Sequence, residues 1–131
     1  MNKKTQRKRL RDELGKLHFK ILISQRGKIC EICRRRPAEG RFHILTVGNF
    51  PALEFCDENV LLACWFPCHY SWHHDIRKAK RIEEIIKHLR GNNYEDKLMI
   101  KNLSMPKHSL TYLNGLLIIF KRNLLNKRII K

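Results

Sequence analysis

The sequence predicts a small α+β protein: a β-hairpin tied off by cysteines and flanked by basic α-helices. Three observations carry this. Two cysteine pairs, Cys30-x-x-Cys33 and Cys64-x-x-x-Cys68, bracket one stretch of chain. Inside that stretch the apolar, β-branched run FHILTV meets the turn signal Gly48-Asn49. On either side, leucines and isoleucines recur every three or four residues among lysines and arginines, the period of an amphipathic helix.

The 131 residues suffice for one compact domain, and 43% apolar residues for a core. The chain is read as that single domain, with a basic N-terminal helix over 1–27, a zinc-braced core over 28–90 and C-terminal helices over 91–131. The apolar run LNGLLIIF at 113–120 is too short to span a bilayer and is stopped by Lys121 and Arg122. The basic N-terminus lacks the apolar stretch and cleavage site of a signal peptide. A membrane protein is therefore not expected, and a cytoplasmic location is. Five cysteines in that compartment point to metal and not to disulfides.

The formal charge is +16, from 28 Lys and Arg against 12 Asp and Glu. Its distribution is uneven. Residues 1–28 hold 10 basic and 2 acidic side chains, residues 29–75 hold 4 and 6, residues 76–96 hold 6 and 4, and residues 97–131 hold 8 and none. The centre is net −2 and the flanks are strongly positive, so a polyanion is expected to be held by the flanks and presented to the centre. Nucleic acid is the partner this favours over an anionic membrane.

The elements follow in order. Residues 2–9 read as a loose basic arm. From Thr5 to about Arg26, Leu10, Leu14, Leu17 and Ile21 mark a helix stopped by Gly27. Phe19 and Ile23 fall on another face. Residues 28–41 read as a metal knuckle, with Pro37 and Gly40 marking an irregular return. FHILTV is a strand, and ALEF at 52–55 a returning strand broken by Asp57-Glu58-Asn59. A helix is expected from near Cys68 to about Leu89, burying Ile76, Ala79, Ile82, Ile85, Ile86 and Leu89 and ending at Gly91. Two more helices, Tyr94 to Asn102 and Pro106 to about Lys127, complete the chain.

Two thiolate pairs of this spacing, Cys30 and Cys33 with Cys64 and Cys68, suit one closed tetrahedral zinc, with the hairpin as the loop it ties off. The second spacing is one residue wider than usual, which Pro67 is expected to accommodate by fixing the turn. Cys56 is left over and reads as a small buried hydrophobe. Cys68-His69 brushes a haem-attachment pattern, but the spacing is wrong for it.

His43, at the head of an apolar run, offers an imidazole near neutral pKa to take a proton from water. Asn59 stands where its amide fixes either the tautomer of that base or the loop holding it. His69 and His73 are four apart, one above the other on a helix face, which is chelating geometry. His74 is turned about 100° from His73 and is held in reserve. His18, His88 and His108 read as ordinary surface or helix residues. Trp65, Phe66 and Trp72 are expected to pack around the zinc and the helix start, with base stacking the lesser alternative.

Together, CEIC, FHI, DENVLLAC and CHYSWHH resemble the HNH endonucleases, the ββα-metal class. They are especially similar to small phage and prophage members, in which a hairpin such as HILTVGNFPALEFCDEN sits between two cysteine pairs. The resemblance covers about residues 28–77, and GNNYEDKL onward more loosely. It implies a zinc-braced ββα-metal core and metal-dependent hydrolysis of phosphodiester bonds in DNA, leaving 5′ phosphate. His43 would be the general base, Asn59 its brace, and His69 with His73 the ligands of one catalytic divalent ion. Histidine-rich ligation suits Mn2+, Ni2+, Co2+ or Zn2+ over Mg2+. Other phage or DNA-processing proteins are further candidate partners, and the oligomeric state is left open.

One position departs from the family. The residue before the base, often Asp and sometimes His as a strand-side ligand, is Phe42 here. The ion would then rest on two histidines, waters and substrate phosphate, or borrow Asp57, Glu58 or Asp75. The rival reading is a non-catalytic zinc-dependent DNA-binding module with a degenerate HNH site; a nuclease acting on RNA is the third.

Overall fold

The structure, a computed structural model, describes residues 2–130, with side chains to residue 126. It is α+β: five α-helices and one two-stranded antiparallel sheet among the described residues. The chain forms two compact units, residues 1–27 with 106–131, and residues 28–105 between them in sequence. The boundary near 105 groups the first of the C-terminal helices with the cysteine core.

The first unit is a pair of helices, α1 (Lys3–Arg26) and α5 (Leu110–Ile130), packed on one another. Asn2 starts α1, its Oδ1 accepting from the Thr5 N–H at 2.9 Å. The expected loose arm is instead the exposed first turns of this helix. Gly27, at φ 94°, ends it, a backbone angle that favours glycine. The expected stripe is rotated slightly. Leu14 and Ile21 are buried, but His18 and Leu22 join them while Leu10 and Leu17 stay half-buried. His18 is thus no surface residue; it is 1% exposed and its ring stacks on Phe120 at 5.6 Å. Glu13 and Lys121 pair at 3.6 Å.

The second unit carries β1 (Gly40–His43), β2 (Val60–Ala63), α2 (Tyr70–His74), α3 (Ile76–Arg90) and α4 (Tyr94–Ser104). The strands are antiparallel, with Phe42 opposite Leu61 and His43 opposite Val60. The returning strand is therefore VLLA and not ALEF. Pro51 lacks the N–H a ladder needs and opens a 3-10 turn, Pro51–Leu53. Every residue of β2 is buried, so it reads as a continuous apolar run without alternation. β1 is shorter than FHILTV because Asn59 takes over the next residues: its Oδ1 accepts from Leu45 N–H at 2.8 Å and its Nδ2 donates to Leu45 O at 3.0 Å.

The knuckle docks on the outer edge of β2. Glu31 brackets Leu62, its N–H donating to Leu62 O at 2.8 Å and its carboxylate accepting from Leu62 N–H at 2.6 Å. Within it, Cys30 N–H donates to Arg36 O and Arg34, at φ 60°, donates to Cys30 O.

The helix expected from Cys68 to Leu89 is split. A π-type turn, Trp65–His69, with a cis Phe66–Pro67 bond, leads into α2. Asp75, in extended conformation, then breaks the chain and caps α3 by accepting from Lys78 N–H at 3.1 Å. The break turns the stripe: Ile82 and Ile86 enter the core, while Ile76 is 79% exposed. Gly91, at φ 100°, ends α3 as expected. The core sits under the sheet, where Phe42, Leu53, Leu61 and Ile86 meet Tyr94 and Leu98 of α4. No helix among the described residues is long and apolar enough to cross a membrane.

Candidate metal and catalytic site

Folding brings Cys30, Cys33, Cys64 and Cys68 together, their sulfurs all within 4.8 Å of one another. A tetrahedron of zinc–thiolate bonds has sulfur–sulfur edges of about 3.8 Å, so one ion such as zinc fits with small adjustment. The surroundings act differently on the sulfurs. Burial pushes the Cys33 thiol up, but the amides of Arg35 and Arg36 and the thiols of Cys30 and Cys68 outweigh it and bring it down to about 7. Burial, then the neighbouring sulfurs, push Cys68 up, and burial also raises Cys64. Like charges crowded in an apolar pocket ionise together when a cation neutralises them. Cys56 lies apart, buried, its thiol donating to Glu58 Oε2 at 3.2 Å. Among the described residues no other group of three or more such ligands closes on a point.

The second cysteine pair launches the histidines. His69 N–H donates to Cys64 O at 3.1 Å, which sets His69 at the entrance of α2. One turn on, His73 brings its Nε2 to 3.2 Å from His69 Nε2. Two imidazoles on one ion are separated by about 2.9–3.4 Å, so the pair is spaced to chelate. Burial, then the charge of His73, lowers the pKa of His69 and favours the neutral ring that a metal requires. The ring lies against Trp65 at 4.6 Å and takes the edge of Phe42 at 5.5 Å. His74 is outside the pair, its ring over Tyr70 at 4.4 Å. An open groove of about 530 Å³, lined by Trp72, His73, His74, Asp75, Lys80 and Glu83, runs beside them.

His43 ends β1 half-buried, with ring Nε2 3.0 Å from Glu54 O. A carbonyl only accepts, so Nε2 carries the proton and Nδ1 is the basic nitrogen of the neutral ring. Arg41 Nη1 donates to the same carbonyl at 2.9 Å and fixes it. The tautomer is thus set by the main chain of Glu54. Asn59, fully buried, instead holds the loop through Leu45 and through Leu53 O at 3.3 Å. No sequence motif marks a backbone carbonyl, so the role of Glu54 is not legible from residue types.

Phe42 points away from His43, as strand neighbours do, and is 1% exposed against His69 and Trp72. Two of the acids that could replace a strand-side ligand are engaged elsewhere: Glu58 with Lys101 at 3.0 Å, and Asp75 at the α3 cap. The three indole and phenyl rings expected around the zinc divide. Trp72 packs on the core, while Trp65 and Phe66 are 55% and 62% exposed. No protein-family profile, curated protein or solved structure matches the chain.

Proposed function

We propose that the chain is a metal-dependent DNA endonuclease of the HNH, ββα-metal type. The observation that carries the reading is the 3.2 Å approach of His69 and His73, on a turn that four cysteines tie to the end of β2, the strand paired with the one that bears His43. A divalent ion held by the pair would supply positive charge to a non-bridging phosphate oxygen and to the departing 3′ oxygen. The chain's own part is proton transfer and positioning. His43 takes the proton of the attacking water at Nδ1 while its Nε2–H stays on Glu54 O. The water oxygen bonds to phosphorus as the bond to the 3′ oxygen breaks. Asn59 keeps the loop behind His43 from moving.

Charge supports a nucleic-acid substrate. The two-helix unit, residues 1–27 and 106–131, holds 15 basic and 2 acidic side chains, a net of +13, whereas residues 28–105 hold 13 and 10, a net of +3. The reading is tested by plasmid nicking with Mn2+ titrated into zinc-loaded protein. Nicking by the wild type and none by His43→Ala is expected; equal nicking by both proteins overturns it.

A second reading has its own observation. Phe42 fills the strand-side ligand position with a buried ring, which favours a zinc-braced DNA-binding module without cleavage. Wild-type protein that binds DNA but never nicks it at any metal concentration would select that reading.

A further inference from the structure

The turn after Cys64 sets out aromatic rings in two columns at helical spacing. Trp65, His69 and His73 form one, with ring centroids 4.6 and 5.0 Å apart, and it contains the chelating pair. Phe66, Tyr70 and His74 form the other, at 5.7 and 4.4 Å. His73 and His74 join the columns edge to face at 6.4 Å. The second column is turned outward: Phe66 is 62% and Tyr70 53% exposed, and neither enters the core. Adjacent exposed rings offer flat apolar faces to a ligand.

The cysteine cluster also ties a basic run of the knuckle to this turn. Cys33 lies within 4.8 Å of Cys64 and Cys68, and Arg34, Arg35 and Arg36 follow it directly, all exposed. A ligand that offers flat apolar faces to rings and negative charge to guanidinium groups is an unpaired polynucleotide strand. In a duplex, base faces are stacked inside and cannot reach a ring.

We infer that Phe66 and Tyr70 stack unpaired bases, with Arg34–Arg36 on the adjoining phosphates, and that the substrate is DNA with a single-stranded stretch at the cleavage point. This assignment of substrate rests on the nuclease reading; the binding it invokes does not.

The test is fluorescence anisotropy of zinc-loaded protein without added divalent metal, using labelled oligo-dT and a duplex of equal length. The wild type binds the single strand more tightly. Phe66→Leu/Tyr70→Leu keeps apolar bulk and removes both rings, and lowers single-strand affinity by roughly 10- to 100-fold, the effect expected for loss of base stacking. Tyr70→Phe, which retains the ring, keeps the affinity. Unchanged single-strand affinity in the double Leu variant, or equal affinity of the wild type for duplex, overturns the inference. Nicking is not the readout, so failure of the nuclease reading is scored separately in the plasmid assay.

Discussion

Asn59 holds Leu45 from both sides, accepting from its N–H at 2.8 Å and donating to its carbonyl at 3.0 Å. A side chain here replaces a strand partner, just where the ladder between β1 and β2 ends. Asn59→Ala leaves the half-buried N–H and carbonyl of Leu45 unmatched, while Leu53 O keeps the Cys56 N–H, and is expected to lower stability by about 1–3 kcal/mol. Urea unfolding measures this. A stability loss under about 0.5 kcal/mol, the range of ordinary surface changes, would assign Asn59 a role other than bracing.

Removing zinc should loosen the second unit as a whole, because its knuckle, its sheet and the start of α2 meet at the four sulfurs. Purified protein is expected to carry about one zinc per chain. Cys30→Ser is expected to lose that zinc and melt well below the wild type. Unchanged metal content with unchanged melting would show that the four cysteines hold no structural metal.

His69→Ala and His73→Ala are expected to raise the Mn2+ concentration needed for nicking, with activity partly recovered when metal is in excess. His74→Ala is expected to leave that requirement alone, since its ring lies on Tyr70 and not in the pair. Metal titrations of the three variants side by side decide it, and a raised requirement in His74→Ala alone would contradict the register.

Changing Lys3, Lys4, Arg7, Lys8 and Arg9 together to Gln removes charge from exposed turns of α1 without touching its buried face. DNA affinity is expected to fall. Its dependence on salt should become shallower, by up to about 0.9 in log–log slope for each phosphate the variant no longer neutralises. Identical affinity and slope would show that these residues do not meet DNA.

Glu58 gives a pH dependence. Burial would raise its carboxyl, but the hydrogen bond from Lys101, then that from the Cys56 thiol, hold it down at about 2, against 4.5 unperturbed. The folded pKa is depressed, so the pair stabilises the fold above pH 4.5 and that contribution fades as pH falls towards 2. Both side chains are well exposed, so screening keeps it under about 1 kcal/mol. Stability of the wild type and Lys101→Met, compared at about pH 7 and about pH 3, should differ more at the higher pH; a constant difference would sink the linkage.

What the sequence reveals depends on the kind of signal. Ligand spacing is local, and Cys30, Cys33, Cys64 and Cys68 assemble in space as their spacing suggests. Helical register likewise puts His69 and His73 together. The strand after the turn is ambiguous because ALEF and VLLA are both short apolar runs; both are largely buried, and what separates them is that VLLA pairs with β1 while ALEF follows Pro51 into a 3-10 turn. Asp75 is a residue type that caps helices, but the isoleucines beyond it continue a convincing stripe across the break. The exposure of Trp65 and Phe66 is beyond reach, since a large ring beside a ligand cysteine looks the same whether it faces inward or outward.

The chain order of the two units has a consequence for synthesis. The cysteine unit is a continuous segment, whereas the helix pair is made from residues on both sides of it. On a ribosome, α1 emerges before the cysteine unit and waits without α5 until residues 28–105 have been translated. The metal-binding unit can therefore finish from its own residues, while the more cationic helix pair closes only after it, through contacts of long sequence separation. A chain stalled before Leu110 would expose Leu14, Ile21 and Leu22 of α1, which makes the late helix the point where a nascent chain is most open to aggregation.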